Sequence, residues 1–269
     1  MGDVTIGLLG PLVVTVNGAS VVPSAAKPRC LLALLAASPG REVGMAAIAD
    51  ELWEERPPGG PTATVQTYIK QLRGNIAAAL GPAPGVSAHD VLSRGHTGYQ
   101  LNVPAGGLDT RQFEREARRG TRTLGEGDSD LAARLLATAL SRWRGPALDG
   151  VRRGPALRAE ALRLEEARLT TLETRITADL MRGRHTELVS ELIGLTSRHP
   201  LVESLHAQLM LALHRSGRSS QALEVFRRLR ETYVRELGLE PSRRLQELHR
   251  SVLADAPQLD APMTSLAAF

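Results

Sequence analysis

Near the start of the chain, apolar side chains fall at alternate positions, Val4, Ile6 and Leu8. A β-branched run, Val13 to Val16, then ends in Asn17-Gly18 before Val21-Val22. A period of two describes a half-buried strand, and Asn-Gly supplies the two positive-φ residues of a tight hairpin. The pattern then changes. Leu31, Leu32, Leu34 and Leu35 form a dense apolar face behind Pro28, which suits a first helical turn, and Ser38-Pro39-Gly40 ends that helix. A second helix is predicted over about 45–53, with Ile48, Leu52 and Trp53 facing inward. Asp50, Glu51, Glu54 and Glu55 make its other side acidic, and Pro57-Pro58-Gly59-Gly60 breaks it. A third helix starts behind Pro61 and runs to about Leu80, with Val65, Ile69, Leu72, Ile76 and Leu80 at steps of three and four on one face. After the Gly-Pro-rich stretch 81–85, the β-type runs 91–94 and 99–103 flank Gly95-His96-Thr97-Gly98, a second hairpin with a polar tip. Three helices followed by a hairpin is the order of a winged helix.

From Leu108 onward the strand signal disappears, and Ala, Leu, Arg and Glu give a helical composition. An echo with a period of 34 residues repeats Gly183-Arg184 as Gly217-Arg218, Leu188 as Ala222 and Leu192 as Phe226. A looser copy sits at Gly127, Ala132 and Leu136. That period and shape belong to tetratricopeptide-like helical hairpins, which bury a core by stacking and present a grooved surface. The expected fold is therefore an α+β winged helix-turn-helix domain at 1–104 followed by an all-α, tetratricopeptide-like helical repeat domain at 105–256. The residues 257–269 form a tail expected to be disordered.

The third helix carries the chemistry. Opposite its apolar face lie Ala63, Thr67, Lys70, Gln71 and Gly74, flanked by Thr64, Gln66 and Arg73, and no acidic residue occurs between Thr62 and Leu80. Gln and Arg can bond base edges in pairs, Thr can touch a thymine methyl, and Lys reaches phosphate. An ordinary solvated helix face has the same pattern. Charge does not decide between them: the net charge is +4, but residues 1–104 hold seven basic and seven acidic residues. A DNA-binding protein and a helical-repeat adaptor that binds protein through its front domain both remain open on these grounds. Enzyme chemistry has no foothold, because the chain contains neither a G-x-x-x-x-G-K-[ST] phosphate loop nor a G-x-S-x-G elbow. The seven histidines are scattered, and the one cysteine, Cys30, lies in an apolar helix. No cofactor or metal is expected. The lone cysteine, the lack of an apolar run near the roughly 20 residues of a membrane span and the lack of a signal peptide fit a cytoplasmic protein.

Several segments resemble the Streptomyces antibiotic regulatory proteins. These are residues 27–35 (KPRCLLALL), Glu51-Leu52-Trp53 with Pro57-Pro58, residues 64–73 (TVQTYIKQLR) and Gly98-Tyr99-Gln100-Leu101. The rear region is similar to the bacterial transcriptional activator domain through Leu108-Asp109, Phe113-Glu114, Trp143 to Leu148, His199-Pro200-Leu201 and residues 236–242 (ELGLEPS). The resemblance covers about residues 4–255. It implies a sequence-specific activator of a secondary-metabolite (antibiotic) gene cluster that binds direct repeats in double-stranded promoter DNA, as a homodimer on DNA, and recruits RNA polymerase holoenzyme with its sigma factor. By this resemblance Thr64, Gln66, Thr67, Lys70, Gln71 and Arg73 read the DNA, Lys27 and Arg29 meet phosphate, and Arg94 and His96 on the wing reach the backbone or minor groove. The chain departs from the family at Gln71 and Gly74, where basic residues are common, and at Gly44, where a Ser or Thr helix cap is usual.

Overall fold

In the computed structural model, residues 3–82, 85–104 and 106–259 are described. They pack as two units. One holds the residues up to 115 together with 139–168; the other holds 116–138 together with those from 169 onward.

The first unit opens with an antiparallel sheet of β1 (Val4–Gly7), β2 (Val13–Val16) and β3 (Ala19–Ser20) in that order. Asn17 and Gly18 take φ of 50° and 80°, the turn anticipated from Asn-Gly. The third strand is the turn-proximal pair Ala19–Ser20 rather than Val21-Val22, whose Val21 is instead buried in the core. Helices α1 (Ala26–Ala37), α2 (Met45–Trp53) and α3 (Pro61–Leu80) follow, with Pro61 in the first turn of α3. A short helix α4 (Ala88–Val91) carries a reciprocal Ser87/Asp90 capping box and takes up Val91, expected to begin a strand. The wing is a sheet ordered β4 (Val43–Gly44), β6 (Gly98–Leu101), β5 (Leu92–Arg94).

Helix α1 is buried on all sides, from Cys30 through Ala36, so it shows no polar face. One side packs against α2, α3 and β6. The other is closed by residues 150–154: the Gly150 carbonyl accepts from Arg29 Nη1 at 3.2 Å, and the Gly154 backbone meets the Cys30 thiol. Burial, reinforced by the nearby Glu51 carboxylate, pushes that thiol up to about 12, so it stays protonated.

The segment 107–157 completes this unit. Leu8 and Leu9 donate their amides to the Asp109 carboxylate at 2.9 and 3.1 Å, and Asp109 also pairs with Arg144 at 3.2 Å. The amides of Arg144, Leu148 and Asp149 reach the carbonyls of Leu9, Leu8 and Gly10 at 2.8, 2.9 and 3.0 Å. Helix α5 (Asp109–Gly125) sets Phe113 edge-on to Trp143, with ring centroids 5.5 Å apart, and Arg168 lies 4.7 Å from the centre of the Trp143 ring.

Glu51 departs from expectation. Its acidic neighbours Asp50, Glu54 and Glu55 are exposed, but Glu51 itself is 3% exposed. Its carboxylate accepts the amides of Gly154 at 2.6 Å, Ala156 at 2.7 Å and Leu157 at 3.3 Å, at the start of α7 (Pro155–Met181). These first-turn amides have no partner within the helix, and the positive end of the helix dipole suits a buried carboxylate. The approach is so close that a Cβ on Gly154 would sit 2.2 Å from the Glu51 carbonyl oxygen.

The second unit is helical: α6 (Ser129–Leu140), α8 (His185–Arg198), α9 (Glu203–Arg215), α10 (Ser219–Leu237) and α11 (Arg243–Leu253), with the ends of α5 and α7. The repeat read from the sequence has a backbone counterpart. At each of Gly127, Gly183 and Gly217 the chain takes positive φ, and the next amide bonds a carbonyl five residues back: Asp128 to Thr123, Arg184 to Asp179 and Arg218 to Leu213. This is the Schellman closure, which turns one helix into the next with its last carbonyls satisfied. Leu188, Leu192, Ala222 and Phe226, the positions related by the period of 34, all lie in the buried core with Leu205, Leu209 and Leu213. Of the tail 257–269, Pro257–Leu259 form a 3-10 turn, and 260–269 lie outside the described residues.

Replacing Glu51 by Ala strands three buried amides, so we expect a loss of about 3 kcal/mol in urea unfolding of the first unit. Replacing Glu54, whose exposed carboxylate pairs with Arg158 at 3.1 Å, should leave the midpoint nearly unmoved. Equal midpoints for the two variants would refute the assignment.

Candidate nucleic-acid interface

Helix α3 buries Val65, Ile69, Leu72 and Ile76. The 3.6-residue period then turns Gln66, Thr67, Lys70 and Gln71 outward, and all four are exposed, with Thr64 partly so. These five side chains span about two turns of one helix face. The hydroxyls of Thr64 and Thr67 donate back to the carbonyls of Gly60 and Ala63, both at 3.1 Å, which leaves their methyl groups and oxygen lone pairs facing out. No carboxylate occurs along α3. The face thus offers two amides, two hydroxyl acceptors, two methyls and one ammonium.

Arg73 is placed differently. Its Nε and Nη2 donate to the Leu92 carbonyl at 3.0 and 2.9 Å, and its guanidinium lies 5.8 Å from the centre of the buried Tyr99 ring. It ties α3 to strands β5 and β6 of the wing. Arg29 similarly donates to the carbonyls of Pro23, Ser24 and Gly150 at 3.0, 2.9 and 3.2 Å, tethering the start of α1. Lys27, in the first turn of α1, holds its ammonium 5.0 Å above the Trp53 ring. Arg94 and His96 are exposed at the end of β5 and in the wing turn.

Two further residues shape this surface, and neither stands out in the sequence. Asn75 donates from Nδ2 to the Val21 carbonyl at 3.2 Å, fixing α3 to the first sheet. Glu42 accepts at Oε1 from the Thr97 amide at 2.5 Å, the Thr97 hydroxyl at 2.8 Å and the Gly98 amide at 2.6 Å. This nest of donors, the Thr97 hydroxyl first, holds the Glu42 carboxyl below the usual carboxylate range. Gly98 admits no side chain, because a Cβ there would lie 1.8 Å from the Val43 carbonyl oxygen where β4 pairs with β6.

Because the folded wing depresses the Glu42 pKa, the carboxylate stabilises the wing turn above the ordinary glutamate range, and that contribution disappears as pH falls through the depressed value. In Glu42→Gln, amide exchange at Thr97 and Gly98 should speed up at neutral pH. The difference from the parent protein should vanish in acid, once the parent's own carboxyl is protonated. Unchanged exchange at neutral pH would contradict this account of the wing.

Residues 20–97 match the family model described as transcriptional regulatory protein, C terminal, and residues 108–253 match the bacterial transcriptional activator domain. The chain is 49% identical over 255 residues to the regulatory protein DnrI of Streptomyces peucetius, covering 95% of this chain and 94% of that protein. It is 34% identical over 261 residues to the transcriptional regulator RedD of Streptomyces coelicolor, covering 97% and 73% of the two chains. Among solved structures, Mycobacterium tuberculosis EmbR in complex with a low-affinity phosphopeptide superposes with a TM-score of 0.86 at 34% identity. That match covers 95% of this chain and 66% of EmbR. With both family models matched in order and relatives aligned along nearly its whole length, the chain belongs to the Streptomyces antibiotic regulatory protein family of transcriptional activators.

Proposed function

We propose that this chain switches on a secondary-metabolite (antibiotic) biosynthetic cluster by binding direct repeats in promoter DNA, as a side-by-side homodimer, and recruiting RNA polymerase holoenzyme through its sigma factor. It does so in the cytoplasm, at the nucleoid. In this reading residues 1–104 carry the DNA contacts and 105–256 the contacts to polymerase. The observation that carries it is the exposed, carboxylate-free face of α3, where Gln66, Thr67, Lys70 and Gln71 stand clear of the core.

Gln66 and Gln71 can each bond an adenine edge with both amide atoms, Thr64 and Thr67 offer methyls to thymine, and Lys70 neutralises phosphate. Lys27, Arg94 and His96 supply further phosphate or minor-groove contacts. A guanidinium has five N–H donors. Arg29 spends three on carbonyls and Arg73 two, so each keeps donors for DNA while its stem is held in place. With the first 104 residues formally neutral, few counterions are released per half-site. Paired binding then supplies affinity that one half-site lacks.

A salt-titrated gel shift on the cluster's own promoter fragments, against an unrelated fragment, tests this. Lys70→Ala should weaken binding to all sequences and make the salt slope shallower by about 1. Gln71→Ala should cost about 1–3 kcal/mol on the preferred site and less elsewhere. No preference for any promoter at any salt would favour the adaptor reading, in which the front domain binds protein.

A further inference from the structure

Within the second unit, helices α7, α9 and α11 line a partly open cavity of about 630 Å³, inside the range of roughly 300–1,000 Å³ that suits one drug-sized molecule. Its lining is of two kinds. Ala207, Leu245, Leu248 and Leu259 give it an apolar body. Around these stand three carboxylates, Glu173, Glu203 and Glu247, and one guanidinium, Arg244. That reverses the sign of a chain whose net charge is +4.

The carboxylates differ in what already satisfies them. Glu247 has Arg243 at 3.0 Å and Arg250 at 4.0 Å. Among the described residues Glu173 accepts the Ser204 hydroxyl at 2.5 Å, and Glu203 accepts the Ser242 amide at 2.8 Å and lies beside the Tyr233 hydroxyl. Among the described residues no cation lies in ion-pair range of either. Both are half-buried, where an unpaired carboxylate draws a counter-charge more strongly than at an open surface.

A second observation points the same way. Gln208 also lines this cavity and is 2% exposed. Its Nε2 donates to the Glu173 carbonyl at 2.9 Å and to the Thr177 hydroxyl oxygen at 3.0 Å. Thr177 in turn donates to that same carbonyl, which fixes the amide's orientation. This leaves Gln208 Oε1 buried with no hydrogen-bond donor, a state that a protein rarely leaves unfilled. The two carboxylates and this amide oxygen are all acceptors.

We infer that the cavity formed by α7, α9 and α11 is a binding site for a drug-sized organic amine. The protonated nitrogen sits between Glu173 and Glu203 with a donor toward Gln208 Oε1, and the hydrocarbon body lies on Leu245, Leu248 and Leu259. A neutral molecule of the same shape gains the apolar contacts and leaves the acceptors unmet. An anion meets two unpaired carboxylates.

Isothermal titration of the whole 269-residue chain with 1-naphthylmethylamine and with 1-naphthylmethanol, which share a ring body and differ in charge, tests this without DNA. The amine should bind saturably and at least tenfold more tightly than the alcohol. Glu203→Gln and Glu173→Gln keep an acceptor oxygen for Ser242 and Ser204, so the helical circular dichroism should be unchanged. Each should weaken the amine at least fivefold while leaving the alcohol as it was. Equal affinity for the two compounds, no saturable binding of the amine, or amine affinity unchanged in both folded variants would overturn the assignment.

Discussion

The carboxylate of Glu51, buried between α2 and the first turn of α7, is the interaction on which the first unit depends. Removing an ion from water costs several kcal/mol. Here that cost is offset by three amides at the positive end of a 27-residue helix. The arrangement admits little variation. A Cβ on Gly154 would strike the Glu51 backbone, and a shorter acid at position 51 would not span the distance. The same contact brings residues 150–154 over α1, which explains why that helix is apolar all round and why burial raises the pKa of the Cys30 thiol.

Two other links work in the same sense. Asp109 bonds the amides of Leu8 and Leu9 and pairs with Arg144, and residues 144–149 run along the same loop. Residues distant in sequence thus hold the first sheet and the helix-turn-helix in one piece. Arg73 and Asn75 then fix α3 to the wing and to the first sheet. The outward face of α3 is presented by a fixed frame, so its backbone needs little further ordering on meeting a surface such as a DNA groove.

Local patterns were legible in the sequence because their causes are local. Asn17-Gly18 forces its hairpin, Pro61 opens α3, the spacing of Val65, Ile69, Leu72 and Ile76 orients that helix, and the glycines at 183 and 217 close helices 34 residues apart. Contacts made across a hundred residues were not legible. Glu51 reads as one of four acids on an exposed helix side, and nothing near it in sequence announces the amides of residues 154–157. Arg29 and Arg73 read as free cations, yet each is tethered to carbonyls whose positions depend on tertiary packing. Glu42 carries no signal at all, since its donors are supplied by a hairpin 55 residues away. The rear motifs Asp109, Phe113 and Trp143 to Leu148, noticed as a family signature, acquire a physical meaning only in the fold: they are the residues that close the first unit.

The contacts of Glu51 and Asp109 make the segment 107–157 part of the winged helix's own support. The most direct measurement is amide hydrogen exchange at Leu31 to Leu35 in a fragment ending at Pro104, compared with the full chain. The account predicts exchange faster by ~100-fold or more in the fragment, the equivalent of losing ~3 kcal/mol of local stability. Equal protection in the two would show that the front segment folds on its own, and that the Glu51 and Asp109 contacts decorate the winged helix rather than hold it together.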